Sequence, residues 1–312
     1  MDFSFIIGIL AFTVASTLRA ATPLTLAALG GVFSERSGVF NIGLEGIMLF
    51  GAFFGMLGSY LTHNPWFGLL LGMFVGGLIA AIHAFVSIEL RANQTVSGVA
   101  INLLASSATA MLLQKFFNTT GQSESVTKIP DLQIPVLKDI PFLGEAVGNL
   151  NPLVYLAVLL VIVASFILFK TKLGLRIRSV GENPEAAATV GISIRKIRYF
   201  SVIMSGLLGG LGGVYLSLGA VDIFKENMSA GRGFIALAAM ITGKYNPVGA
   251  FMACLLFGFA EALEGQFQII GLAVPKQFLH MLPYLLTILL IIGVVGKSTP
   301  PASGGVPYEG RK

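Results

Sequence analysis

Eight apolar runs, near residues 4–18, 43–61, 66–88, 95–113, 152–169, 197–219, 247–263 and 278–296, punctuate this chain. Each is long enough, or nearly so, to cross a hydrocarbon core of about 30 Å as a helix. Only 11% of the residues are charged, against about 25% in soluble domains. The pattern predicts an all-α, polytopic membrane helical bundle. Two shorter runs, 21–33 and 232–242, are bounded by Gly or Pro. Counted as spans they bring the total to about ten transmembrane helices; counted as halves of re-entrant pairs they change that number but leave every other loop on its side.

Charge orients the bundle. With the 170–198 loop in the cytoplasm, Arg36, Arg91, Lys170, Lys172, Arg176, Arg178, Arg195, Lys196, Arg198, Lys244, Lys297, Arg311 and Lys312 lie inside, and Arg19, Lys115, Lys128, Lys138, Lys225, Arg232 and Lys276 outside. The excess inside favours this choice, with both termini cytoplasmic. The net charge of +5 is therefore a topology signal, and no soluble basic surface is present to meet nucleic acid. Residues 1–297 form the membrane domain of a multi-pass plasma-membrane protein, and the Pro/Gly-rich tail 298–312 is expected to be disordered. The first residues lack a positive leader and cleavage site, so they read as a membrane helix. The single cysteine, Cys254, excludes an intrachain disulfide and a thiolate metal site.

Within the basic 170–198 loop stands a short charged stretch, GENPEAAATVGI. Asn183 is suited to N-cap a helix, Pro184 to its first position, Glu185 to its positive end, and Gly191 to a left-handed stop. A helix so short needs Ala186, Ala187, Ala188 and Val190 packed against something. That is either the membrane surface, with the segment as a helical linker, or the socket of a soluble partner.

Polar residues inside apolar segments mark the other candidate site. Asn41 and Glu45 are one helical turn apart, where they either anchor a helix end or serve a transport path. In NQTVSGVAINLLASS, starting at Asn93, residues Gln94, Ser97, Gly98, Asn102 and Ser106 fall on one face. Amides and hydroxyls do not meet lipid tails, so this face meets either another helix or an aqueous cavity. The segment from Pro23 (short apolar helix, polar turn, Gly-rich helix) is faintly echoed by 233–259. Two pseudo-repeated halves, each with a short interrupted helix, point to a path near the midplane. Gly206, Gly209, Gly210 and Gly213 predict close helix packing. The long polar connection 118–151 lies outside on this topology, as a docking surface for an extracellular partner.

An enzyme is not indicated. His63, His83 and His280 are scattered, Glu261 and Glu264 lie together at a span's outer end, and no HExxH, GxSxG or Walker sequence occurs. GVVGKST is too short between its glycines to hold a phosphate. A secondary transporter would need ion-binding carboxylates in the bundle, and Glu45 alone qualifies.

GGVFSERSGVFNIGLEG, RSVGENPEAAATVGI and RYFSVIMSGLLGGLGG resemble permeases of bacterial ATP-binding-cassette importers. The branch is that of the branched-chain amino-acid and simple-sugar permeases, and nucleoside importers of Gram-positive bacteria are the nearest in it. The resemblance runs from Pro23 to Gly296. It implies that residues 182–191 (Glu182, Asn183, Pro184, Glu185, Ala186, Ala187, Ala188 and Gly191 among them) are the coupling helix that docks on the ATPase. It also implies a second, homologous permease, a cytoplasmic ATPase that hydrolyses the ATP (this chain itself needing no cofactor), and a lipid-anchored substrate-binding protein. The solute would be a nucleoside, with sugars or branched-chain amino acids as the sister alternatives. Asn41, Glu45, Asn93, Gln94, Ser97 and Asn102 are expected along its path.

Overall fold

A computed structural model describes residues 3–135, 140, 142–270, 281, 285 and 298–309. The helices are α1 (Phe3–Arg36), α2 (Leu44–Thr62), α3 (Pro65–Ala84), α4 (Gln94–Phe117), α5 (Leu143–Val147), α6 (Pro152–Lys170), α7 (Lys172–Glu182), α8 (Pro184–Thr189), α9 (Ile194–Val214), α10 (Arg232–Thr242) and α11 (Pro247–Ile270). π-helical turns, Phe85–Glu89 and Tyr215–Ala220, prolong α3 and α9. A single two-residue strand pair, β1 (Leu132–Gln133) against β2 (Asn149–Leu150), is the one sheet among the described residues.

Seven of these helices are long and apolar enough to cross a membrane, while α10, with 11 residues, is not. The expected run at 278–296 lies outside the described residues. The expected short segment 21–33 is no separate span but the second half of α1, which continues through Pro23. Proline is tolerated in membrane helices where neighbouring hydroxyls serve the freed backbone. Here the Thr22 hydroxyl donates to the Leu18 carbonyl at 2.7 Å, beside the Arg19 carbonyl that Pro23 leaves without a donor.

Continuity of α1 changes the topology. A helix of 34 residues is about 50 Å long, so its two ends are far apart. Arg36 meets the carbonyls of Tyr245 and Lys244, next to α7, whereas Arg19 reaches the Asn149 carbonyl and Gly8 lies beside Glu145. The chain therefore starts at the end of the bundle that carries the 118–151 connection. The stretch 298–309 packs at the opposite end, beside α8, so the described residues nearest the two termini lie at opposite ends of the bundle, where charge led to the expectation of one side.

The centre of the bundle is α2, α3 and α9. Of the membrane-crossing stretches, 78% of α2 and 83% of α9 is buried, against 39% of α3, which packs one face on both, and 28% of α4, which is peripheral. Glycine makes the centre possible. A Cβ on Gly213 would stand 1.9 Å from the Met48 carbonyl oxygen, and one on Gly206 2.4 Å from that of Gly76. Only backbones without side chains approach this closely, as the Gly spacing on α9 predicts. On the faces turned away from this packing, Leu70 and Phe74 on α3 and Ile162 and Phe166 on α6 are exposed, as lipid-facing side chains are.

The described residues of the 118–151 connection form an ordered cap. Backbone bonds from Ser123, Val126 and Ile129 to Phe224, Asp222 and Leu218 zip it to the segment after α9. Asn151 closes it by donating to the Ile129 carbonyl at 3.0 Å.

Candidate functional site

Between α1 and α2 the chain leaves helical geometry over 37–43, inside the bundle. The N–H groups of Ser37, Gly38 and Val39 still reach carbonyls in the last turn of α1; backbone groups beyond them need other partners, and leaving them bare would cost several kcal/mol each in a lipid-like interior. The polar face of α4 supplies the partners. The Phe40 N–H donates to Gln94 Oε1 at 2.7 Å, the Gly46 N–H to Asn102 Oδ1 at 2.8 Å, and Asn102 Nδ2 donates to the Ile42 carbonyl at 3.0 Å. From α3, His83 Nε2 stands 2.9 Å from the Phe40 carbonyl, with Ser97 Oγ 2.9 Å from its Nδ1. A carbonyl only accepts, so Nε2 carries the proton and Nδ1 accepts from Ser97.

Gln94 and Asn102 thus bond the turn and the start of α2, and Ser97 bonds His83 on α3. Asn93 is the N-cap of α4, accepting from Thr95 and Val96 at 2.9 and 3.1 Å. Asn41 lies in the turn and not on α2 with Glu45. It is fully buried and donates to Ser205 on α9 at 2.9 Å. His83, Ser205 and the partners in the turn carry no local sequence signal, because their spacing in the chain is unrelated to their spacing in the fold.

Glu45 serves a second break. The chain enters α10 through Gly231 in left-handed conformation, and the first N–H groups of that helix have no intrahelical acceptor. The Gly231 N–H donates to Glu45 Oε1 at 2.8 Å and the Gly233 N–H to Oε2 at 2.7 Å. A carboxylate at a helix N-terminus is favoured by both hydrogen bonding and the helix dipole. The 11 residues of α10 cover about 16 Å, half a hydrocarbon core. Its C-terminal end is held at the α8 end of the bundle through Arg36, so its N-terminus lies near mid-depth. Ser106 on α4 donates to Asn227 Oδ1 at 2.7 Å just before this break, and Phe234 just after it is exposed. At the start of α10, Arg232 pairs with Glu261 on the wall of a cavity of about 500 Å³ that also takes in Arg19, Lys128 and Asp131.

The third site is at the other end. Asn183 Oδ1 accepts from the Ala186 N–H at 2.9 Å, Pro184 opens α8, and Gly191 is left-handed with its N–H on the Ala188 carbonyl. These are the caps read from sequence. The inward face is Ala187, buried in the apolar cluster of Ile177, Val180 and Ile194. Ala187 therefore anchors α8 to its own chain. Glu182, Glu185, Ala186, Thr189 and Val190 face outward, and Asn183, Glu185, Ala186, Ala188 and Thr189 form, with Tyr308, the wall of a groove of about 560 Å³. Near the end of α1, burial pushes the Tyr245 phenol above its ordinary range.

A family described as "Branched-chain amino acid transport system / permease component" matches residues 13–295. The chain belongs to that family. Like other members, this permease is a membrane transport component and not an enzyme, seated as a multi-pass protein in the plasma membrane. It is 47% identical to the guanosine ABC transporter permease protein NupQ of Bacillus subtilis, over 97% of this chain and 98% of that one. It is 41% identical to the nucleoside ABC transporter permease protein NupC of Lactococcus lactis, over the same shares. A more distant relative is the glucose ABC transporter permease protein TsgB13 of Haloferax volcanii, 26% identical over 90% of this chain and 76% of that one.

Proposed function

We propose that this permease forms half of the translocation path of an ATP-binding-cassette importer for nucleosides and couples that path to a cytoplasmic ATPase through α8. The observation that carries the reading is the 47% identity with a guanosine permease along nearly the whole of both chains. The working complex would contain a second, homologous permease, the ATPase and a lipid-anchored binding protein.

Geometry supports the division of labour. The α8 end, rich in Arg and Lys, is cytoplasmic, and the outward face of α8 (Glu185, Ala186, Thr189, Val190) meets the ATPase. The 118–151 cap then lies outside, towards the binding protein. Solute passes at mid-depth along the break before α10, between this chain and its partner, near Glu45, Ser106, Asn227 and Phe234. A nucleoside is neutral, flat and rich in hydrogen-bonding groups, which suits amides, hydroxyls and an aromatic ring more than fixed charge. Neither the ten-span count nor the pseudo-repeat is needed for this reading. Sugars are the alternative cargo, since a glucose permease shares the family. A secondary transporter is disfavoured, because both oxygens of Glu45, the carboxylate read from sequence as able to serve one, are engaged by backbone amides.

Purifying the tagged chain from its native membrane and identifying what accompanies it tests the assembly. An ATPase and a second permease are expected in stoichiometric amounts. Recovery of the chain alone, with uptake that needs no ATP, would remove the reading.

A further inference from the structure

The stretch 298–309, expected to be disordered, is instead fastened at several points. The Ser303 N–H donates to the Gly181 carbonyl at 2.9 Å and its hydroxyl to the same carbonyl at 2.7 Å. The Ala302 N–H reaches Glu182 Oε2 at 3.3 Å. These contacts hold the last turn of α7, from which α8 starts. On its other side the stretch holds the 37–43 turn. The Gly305 N–H donates to the Gly38 carbonyl at 3.2 Å, and the backbone of Gly304 and Gly305 lies flat on the Phe40 ring, where a Cβ on either would come within 2.8 Å of ring carbon. Composition hid this order, because a Pro/Gly/Ser segment buries little side chain; what fixes it is backbone hydrogen bonding and close backbone approach.

Arg198 closes the clasp. Its side chain is only 1% exposed, and its guanidinium donates to the Val306 carbonyl at 3.2 Å and to Ser303 Oγ at 3.5 Å. A buried cation that loses such acceptors has neither water nor a counter-charge, so the tail and Arg198 hold each other in place. Gly38 is the point where the parts converge: it is left-handed at φ +88°, and a Cβ there would lie 2.5 Å from Ser303 Oγ and 3.1 Å from Arg198 Nη2.

We propose that the C-terminal stretch is a strap that, with Arg198, locks α8 to the 37–43 turn, so that displacement of α8 by the ATPase moves the turn and the polar face of α4 that grips it. Arg198 and Ser303 are positioning residues in this device. The chain of contacts runs from α8 through Gly181 and Glu182 to the strap, from the strap to Gly38 and Phe40, and from Phe40 to Gln94 and His83. The proposal rests on the reading of α8 as the ATPase-facing helix, and adds that the solute path is driven through the tail.

The test uses the complete transporter, with both permeases, ATPase and binding protein, reconstituted in liposomes, and reads labelled guanosine taken up against ATP hydrolysed. The variants are a chain ending at Pro300, Ser303→Ala and Arg198→Lys. In Ser303→Ala and Arg198→Lys the ATPase should stay bound in normal amount, since the outward face of α8 and Tyr308 beside it are untouched. ATP hydrolysed per guanosine should rise by about threefold to thirtyfold in the shortened chain, the range expected when a coupling contact is lost. Ser303→Ala should give a smaller rise, and Arg198→Lys, which keeps the charge but not the two-armed donor, should fall between. An unchanged ratio in the shortened chain and in Ser303→Ala overturns the proposal. Loss of the ATPase from Ser303→Ala overturns it too, since the strap would then be part of the docking surface. A failure of the α8 reading itself is recognised separately: the unaltered chain would not retain the ATPase, and the proposal would fall with it.

Discussion

The helix centre and the two helix breaks solve opposite problems. In α2, α3 and α9 the backbone is self-satisfied, and glycines remove side chains so that helices touch; at 37–43 and before α10 the backbone is not self-satisfied, and side chains are added to serve it. Close contact in the first region leaves no room for movement, because packed backbones have one arrangement. The second region is held by a countable set of hydrogen bonds from Gln94, Asn102, His83 and Glu45. Those bonds can be exchanged one at a time. The contrast separates a rigid centre from the places where a transport cycle can act.

The largest effect should come from breaking the centre. Gly213→Leu places a side chain where a Cβ alone would be 1.9 Å from the Met48 carbonyl, and overpacking there should cost about 3 kcal/mol or more. The expected outcome is little folded protein on size-exclusion chromatography in detergent. Gly209→Ala sharpens the point: the nearest atom to its Cβ is Ile47 Cγ2 at 3.1 Å, a side chain that can shift, so this variant should fold. Equal behaviour of the two would mean that glycine closeness does not set the centre.

Asn102→Leu attacks the breaks. It strips the Gly46 N–H and the Ile42 carbonyl of their partner, a loss of roughly 2–4 kcal/mol if neither finds water. Thermal unfolding in detergent should fall and uptake with it. If uptake falls while unfolding is unchanged, Asn102 acts on solute and not on the turn.

A smaller pair tests which face of α8 does what. Ala187→Glu drives a carboxylate into the chain's own apolar cluster and should cost about 1–3 kcal/mol. Val190→Glu, on the exposed face, should leave unfolding unchanged and reduce the ATPase that co-purifies. The opposite result would turn α8 over.

The same contrast explains what could be read from the chain. Local chemistry was legible: the caps at Asn183, Pro184 and Gly191, the spacing of Gly206, Gly210 and Gly213, and the polar face of α4 are each set within a few residues. Partners remote in sequence were not. Glu45 serves amides at Gly231 and Gly233, Asn41 bonds Ser205, and Arg198 holds Val306; no periodicity encodes such pairs. The buried side of α8 was also unreadable, since an alanine-rich turn looks alike on every face. Pro23 suggested a boundary because proline ends most helices in water, and in α1 it does not.

The central claim is that this permease carries nucleosides, and uptake in competition tests it most directly. In the assembled transporter with ATP and the binding protein, uptake of labelled guanosine should be competed by other purine and pyrimidine nucleosides and hardly by ribose or leucine. Competition by ribose or leucine, with nucleosides inert, would contradict the claim while leaving the family membership intact.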